Sequence, residues 1–431
     1  MKNISILTLF PDLYEPFINT SLLKRAQEKN LINFDLQGLF SFAKPKERID
    51  APGFGPGDGM LIKPEIVEKA IDKQEKEFGK AYKIFFSPQG KLLNQTNLKE
   101  IYNKIADKKH IMLLSSRYEG MDSRVEEYYA DEILSVGNFV TMGGDIPAML
   151  FLEAILRYFP EIVGKVGSVE QDSFSGPFVD YPQYTEPVEW KGMVVPEILR
   201  SGNHGAIEKW RLDKAAQKTV IDHFEWVRTY KLNEVQKKVA SKFIPNHYVA
   251  LMHSDVLLED NRVGTTSVTS IDIHDISRSC ATYGIKNYFI VTPLKDQQKI
   301  VSKLLHFWQE GYGFEYNPQR FKAIKNTHLK NDLKSVIEAI KEKENIDPII
   351  ITTSAKRSDL ALISYFDQSK VWSKNRPILL IFGTGKGLSD DLMAKSDFQL
   401  KPIEGFTDFN HLSVRSAVAI ILDKWLGLNE K

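Results

Sequence analysis

Short apolar runs bounded by glycine, proline and polar turns recur along the chain and read as buried strands. They lie at 4–9, 83–86 and 111–114, and again at 248–252, 288–292, 348–352 and 378–382. Residues 32–39 (INFDLQGL) alternate between apolar and polar as a strand does. Stretches with helical spacing separate them: one ending near Gln27, then 64–78 with Pro64 at its start, 97–107, 294–309, 329–344 and 411–426. The Lys341–Asn345 run is a charged helix end. Strands alternating with helices predict an α/β protein with mostly parallel sheets.

The stretch 113–157 organises this pattern. A strand ends at Ser115-Ser116 and Arg117-Tyr118-Glu119-Gly120 follows. A second apolar segment, 133–140, runs into Gly143-Gly144, and after Pro147 an apolar helix ends at Arg157. Strand ends meeting a Gly-Gly loop and a helix start are the usual makings of a small-molecule site in an α/β sheet. Residues 44–60 form a long glycine-rich loop of the kind that is functional or mobile.

The pattern changes twice. Residues 160–185 lack periodicity and read as a linker carrying Glu170, Gln171 and Asp172. Residues 186–246 are helical, with Lys209, Arg211, Lys214, Lys218, Arg228, Lys237 and Lys238 among Trp190, Trp210 and Trp226. Such charges describe either a solvated helix face or a basic, aromatic-bearing surface for nucleic acid. The last segment then echoes the first. ILLIFGTGKGLSDDL (378–392) parallels IMLLSSRYEGMDSRV (111–125), placing Gly387 against Gly120, and FQLKPIEG (398–405) parallels EILSVG (132–137).

Composition narrows the setting. A chain of 431 residues, 42% hydrophobic and 26% charged, suits two or three soluble domains. The net charge of +1 supplies no global field toward nucleic acid, so any such contact must be local. The single cysteine, Cys280, excludes an intrachain disulfide framework and fits a reducing compartment. The first apolar run is too short for a signal peptide, and no run approaches the ~18 apolar residues of a membrane span. A cytoplasmic protein with no membrane association is expected.

Several chemistries fail on spacing. Gly383-Thr-Gly-Lys-Gly leaves two residues where a P-loop needs four. It also comes too late for a dinucleotide fold, with about 44 residues remaining after Gly387. Without a His-Glu-x-x-His helix, a cysteine cluster or a Gly-x-Ser-x-Gly elbow, a zinc peptidase or serine hydrolase is disfavoured, and no metal site is expected.

Six stretches carry a resemblance: SPQGKLLNQ (87–95), SRYEGMDSRV (116–125), SVGNFVTMGGDIPAM (135–149), EQDSF (170–174), YPQYTEP (181–187) and VPEILRSGNHGAIEKWR (195–211). In their order and spacing, residues 1–246 resemble the bacterial tRNA (guanine-N1)-methyltransferases of the TrmD type, in the SPOUT superfamily. Residues 247–431 resemble a second SPOUT-type RNA methyltransferase domain, through FGTGKGL and LKPIEGFTDFNHLSVRSAVAI (400–420). The resemblance implies two trefoil-knotted parallel-sheet domains separated by a small helical domain. The expected layout is 1–160 for the first methyltransferase domain, 161–185 for the linker, 186–246 for a tRNA-binding domain and 247–431 for the second methyltransferase domain. It also implies a homodimer with active sites at the subunit interface.

The resemblance assigns roles residue by residue. S-adenosylmethionine would lie against Phe85, Phe86, Ser87, Pro88, Ser116, Tyr118, Glu119, Gly120, Ser135, Val136, Gly137, Asn138, Phe139, Val140, Thr141, Gly143, Gly144 and Pro147. The target would be N1 of guanosine 37 in tRNA. Asp172 matches the family's base and Arg157 its arginine, which would stabilise charge on guanine O6. An ordinary aspartate, with pKa about 3.9, is a weak base near neutrality, so burial and Arg157 would have to assist. The sulfonium is already activated and requires no metal, although Mg2+ stays open as an accessory ion. Three positions depart from the family: Ser116 for Gly, Met142 for Ser and Phe85 for Tyr. Loop 50–60 has its glycines shuffled.

In the second domain Gly383, Gly387, Ile403 and Ser413 are the cofactor candidates, with Asn410 also matching a superfamily position. A non-catalytic RNA-binding or dimerisation module is the alternative there. His253, His274 and His411 read as structural, and Cys280 as core filler.

Overall fold

The computed structural model describes residues 1–163, 172–356 and 361–428. The chain forms two compact units, Met1–Gly176 and Pro177–Lys431.

The first unit is built on a five-stranded sheet. Its strands are Lys2–Thr8, Ile32–Gly38, Tyr82–Leu92, His110–Leu114 and Glu132–Ser135. Across the sheet they run in the order 32–38, 2–8, 110–114, 82–92, 132–135, all parallel. A parallel sheet covered on both faces needs apolar residues at every position of its central strands. His110–Leu114 shows this: Ile111 and Leu113 enter one core, Met112 and Leu114 the other. Helix Pro64–Phe78 covers one face with Ile66, Val67, Ala70 and Ile71. Helices Gln95–Ile105 and Asp145–Ile155 cover the other with Leu98, Ile101, Phe151 and Leu152. The expected loop 44–60 belongs in part to a short hairpin, Asp50–Pro52 against Met60–Ile62, which runs past its end.

The second unit holds a seven-stranded sheet in the order 327–330, 287–291, 247–252, 378–383, 349–352, 398–400, 362–363. Its described strand pairs are parallel. Five consecutive strands, from 287–291 to 398–400, repeat the order of the first sheet. The echo extends to the turns. Gly120 and Gly387 both adopt positive φ, 116° and 110°. Each carbonyl accepts from a short hairpin, Ile62 N at 3.0 Å and Leu257 N at 2.9 Å. A capped helix follows each turn, on Asp122 and on Ser389.

The pattern reads 186–246 as helical throughout, but a hairpin, Glu189–Trp190 with Met193–Val194, comes first. Helices His204–Asp222, Phe224–Thr229 and Glu234–Ser241 follow. Their apolar residues Val220, Phe224, Val227 and Ala240 share one core with Val249, Leu380 and Phe382 of the sheet. Two edge strands, Thr327–Lys330 and Leu362–Ile363, are also additions to the predicted pattern. Cys280 is buried, and burial pushes its thiol well above the ordinary range. No helix among the described residues is long and apolar enough to cross a membrane.

His247 opens the interior strand 247–252 of this sheet and fixes the last helix to it. Trp425 Nε1 donates to His247 Nε2 at 3.0 Å, while Nδ1 lies 2.6 Å from the Pro245 carbonyl. An indole N–H only donates and a carbonyl only accepts, so the ring is the neutral Nδ1–H tautomer. Burial lowers its pKa to about 4, and that of His253 likewise to about 4. Both folded values lie below the ordinary 6.5, so the unfolded chain takes up protons first as pH falls. The stabilisation is complete above about pH 6.5 and is lost as pH falls toward about 4, roughly 3 kcal/mol per ring. Urea midpoints at pH 7.5 and 5.0 should therefore drop more for the wild type than for His247→Gln. Equal drops would remove His247 as a source of the acid sensitivity.

Candidate active site

The predicted wall residues gather at the C-terminal ends of three adjacent strands of the first sheet. Strand 82–92 shifts register between Phe86 and Lys91, which places Ser87-Pro88 in the irregular part. The turn after 110–114 carries Ser116, Tyr118 at φ 59°, Glu119 and Gly120. The loop after 132–135 carries Val136, Gly137, Asn138, Phe139, Val140, Thr141, Gly143 and Gly144 and enters the helix that contains Pro147. The first sheet thus brings these three groups to one edge. Phe85, Phe86, Ser135, Gly144 and Pro147 are buried. Phe139 and Val140 stand 60% and 82% exposed, so the outer rim of the wall is open in a single chain.

Two of the three segments are bonded to each other. Gly144 N donates to Ser116 O at 2.8 Å, and Arg117 bridges to Gly143. A Cβ on Gly143 would lie 2.4 Å from Arg117 Cδ and 2.8 Å from Ser116 O. Only glycine allows the two segments to approach this closely. Thr141 Oγ1 donates to Gly143 O at 2.8 Å and Ser135 Oγ to Gly137 O at 3.0 Å, shaping the loop from within.

The composition of the wall hides its support, which is a fully buried carboxylate. Asp145, the first helical residue after Gly144, accepts from Thr8 Oγ1 at 2.6 Å and Tyr14 OH at 3.2 Å. Its other oxygen accepts from Arg117 Nε at 2.8 Å. Burial first, then the Asp145 charge, hold the Tyr14 phenol far above its ordinary pKa, so it stays a donor. Asp145 therefore ties the first strand, the 116–120 turn and the helix start into one node. Asp145, Thr8 and Tyr14 are not among the predicted site residues, and Arg117 lies within the predicted 116–120 wall segment without a role of its own. The available signal was an acid directly after Gly-Gly at a helix start, where a carboxylate is favoured.

Arg157 and Asp172, predicted separately as the O6-stabilising cation and the base, are brought together. Arg157 lies on the turn Leu156–Tyr158 that ends the helix, and its Nη2 forms an ion pair with Asp172 Oδ2. Both side chains remain partly exposed, 48% and 30%. The neighbouring Tyr158 hydroxyl accepts from Gln95 Nε2 at 2.9 Å, and its ring stacks on Tyr102 at 5.6 Å. Burial, then the Asp172 charge, raise the Tyr158 pKa. Gln95 closes the first of the six quoted stretches, and its link to Tyr158 is long-range. Glu170 and Gln171 lie outside the described residues. A cavity of about 420 Å³ lies beside Arg157, lined by Phe17, Leu22, Leu152 and Leu156.

In the second unit, Gly383 and Gly387 bound the turn after strand 378–383. Ile403 is half-buried against the core, and Ser413 caps helix Val414–Leu426. Asn410 Nδ2 donates to Ala355 O at 2.8 Å. His253 is buried and His411 exposed. Among the described residues no three His, Cys, Asp or Glu side chains are grouped to hold a metal.

Comparison with known proteins places both units. Residues 1–229 match the family model described as tRNA (Guanine-1)-methyltransferase TrmD, and residues 246–427 match one described as SAM-dependent RNA methyltransferase. A tRNA (guanine-N(1)-)-methyltransferase of Nitratidesulfovibrio vulgaris is 36% identical, with 98% of this chain and 99% of that protein aligned. One of the same name from Oleidesulfovibrio alaskensis is 33% identical over the same shares. A shorter one from Mycoplasmopsis synoviae is 43% identical, covering 50% of this chain and 92% of its own length. The chain thus belongs to the TrmD tRNA (guanine-1)-methyltransferase family and carries, in addition, a SAM-dependent RNA methyltransferase domain at 246–427.

Proposed function

We propose that this protein transfers a methyl group from S-adenosylmethionine to N1 of guanosine 37 in tRNA. The observation that carries the reading is the Arg157–Asp172 pair at the far end of the helix whose start forms the glycine wall. S-adenosylmethionine bound at the wall supplies a methyl group already activated on a sulfonium.

The chain's own residues do the rest. The Asp172 carboxylate takes the N1 proton of guanine, leaving the N1 lone pair free to bond to the methyl carbon as the carbon–sulfur bond breaks. The negative charge that moves onto guanine O6 is met by the Arg157 guanidinium. With five N–H donors, Arg157 can hold O6 without abandoning Asp172. Tyr158, Gln95 and the Tyr102 stack keep the Arg157 turn in place.

Geometry favours a homodimer. Asp145 and Arg157 are twelve positions apart along helix and turn, so wall and pair stand roughly 18 Å apart along one chain. One nucleotide cannot span that distance, but a second copy can present its pair to this wall. Ile146 and Leu150, one turn apart on the helix between them, are 60% and 49% exposed and supply an apolar face for that contact.

The same reading extends to the rest of the chain. A trefoil knot would fold the 116–120 and 136–144 segments around the cofactor. The helices within 186–246 would hold the tRNA, with 161–185 as the linker bearing Asp172 and a cytoplasmic setting for the whole. The repeated strand order and the Gly387 turn support a second methyl-transfer site in 247–431, around Gly383, Gly387, Ile403 and Ser413.

Calorimetry of S-adenosylmethionine binding tests both pockets. The full chain should bind two equivalents, and Gly143→Ala should weaken one of them at least tenfold by driving Arg117 and Ser116 into the wall. Unchanged binding in Gly143→Ala would move the cofactor elsewhere. A single equivalent in the wild type would leave 247–431 as an RNA-binding or dimerisation module.

A further inference from the structure

The second unit contains a cavity of about 400 Å³ between the segment 181–188 and helix His204–Asp222. Its character differs from that of an apolar core defect. Tyr181 and Tyr184 line it, and the Arg211 guanidinium lies 4.7 Å from the centre of the Tyr181 ring. Tyr184 is 49% exposed and its ring packs 6.4 Å from Trp210. Gln183, Glu186 and Arg200 add polar and charged groups to the lining.

We propose that this cavity holds one unstacked nucleotide of the substrate RNA, separate from the base that is methylated. The assignment rests on the reading of the protein as an RNA-modifying enzyme. A tyrosine face already stacked on a guanidinium is a platform for a flat base, and every base can use it. The charges set the orientation. Glu186 would accept hydrogen bonds from the amino edge of a base, while Arg200 and Arg211, which line the same cavity, would take the nucleotide's own phosphate. On helix 204–222, Lys214 and Lys218 recur at helical spacing from Arg211 and share its face. They form a cationic rail outside the cavity on which the flanking phosphates can lie. The partly exposed Arg211 completes the transition from stacking platform to rail.

The test uses the full chain and two probes: a 17-nucleotide RNA hairpin with an unpaired loop, and a blunt RNA duplex of equal charge. The hairpin should bind more tightly, because only it offers an unstacked base. Tyr181→Ala and Tyr184→Ala should each weaken hairpin binding about tenfold while leaving its salt dependence unchanged. Lys218→Ala should weaken hairpin and duplex alike and lower the salt slope by about 0.7. KM for tRNA should rise in the tyrosine variants with KM for S-adenosylmethionine unchanged. Hairpin binding within twofold of wild type in both tyrosine variants would overturn the proposal, even where the wild type methylates tRNA. A wild type that methylates no tRNA, yet binds the hairpin with this dependence on Tyr181 and Tyr184, would keep the cavity assignment and reject the methylation reading.

Discussion

Asp172→Asn should lower kcat for tRNA methylation by about 10²–10⁴ while leaving S-adenosylmethionine affinity unchanged. The amide preserves shape and the contact with Arg157 but cannot accept the N1 proton. Because Asp172 sits beyond the end of helix 145–155 and outside the wall, cofactor binding should be indifferent to it. The residual rate should rise about tenfold per pH unit, since hydroxide must then remove the proton. Arg157→Lys keeps a charge but loses the planar fork that serves O6 and Asp172 together, so it should also lose activity through kcat. Single-turnover kinetics with saturating cofactor and tRNA measures both. A near-normal turnover in Asp172→Asn would remove the residue as base.

The second large effect is structural and concerns Arg228. Its guanidinium is buried at 1% exposure and caps the last helix of the chain. Nε donates to Gly427 O at 2.9 Å, Nη1 to Lys424 O at 2.6 Å and Nη2 to Asp423 O at 2.8 Å. A helix ends with carbonyls that have no intrahelical donor; here one arginine serves Lys424 O and the following Gly427 O, and adds a second donor to Asp423 O, which also accepts from Gly427 N at 2.8 Å. Beside it Phe224 packs on Trp372 at 4.6 Å, and Trp372 on Trp425 at 6.2 Å. Helix Phe224–Thr229 is thereby fastened to helix Val414–Leu426. Arg228→Met should cost on the order of 3 kcal/mol or more, because the carbonyls lose their donors in a site that stays largely dry. Hydrogen exchange should show 224–229 and 414–426 losing protection while the first sheet keeps its own. Full protection in both helices would mean that water replaces the guanidinium at little cost.

That fastening was not legible in the sequence. Arg228 sits among lysines and arginines that read as a solvated or RNA-facing surface, and its acceptors lie near the other end of the chain. What was legible follows from burial. Strands covered on both faces must be apolar at every position, so 4–9, 111–114, 248–252 and 378–382 stood out. The edge strand Thr327–Lys330 did not, because its polar sequence merges with the helix after it. Helix Ser270–Thr282 escaped for a similar reason, its apolar positions interrupted by Asp272, His274 and Asp275.

The site divides in the same way. Gly120 and Gly387 announced matching turns because positive φ leaves a mark on composition. The Asp145 node left almost none, since Thr8, Tyr14 and Arg117 reach it from three separate stretches. The separate roles of Arg157 and Asp172 came from the family resemblance; their ion pair came from the structure. Spacing alone could not pair a helix end with an aperiodic segment.

The most direct measurement is nucleoside mass spectrometry of tRNA treated with the full chain and methyl-labelled S-adenosylmethionine, on transcripts carrying G or A at position 37. The account predicts labelled N1-methylguanosine mapped to position 37 of the first transcript, none at position 37 of the second, and none on either with Asp172→Asn. N1-methylguanosine placed elsewhere, or formed at position 37 as readily by Asp172→Asn, would contradict it.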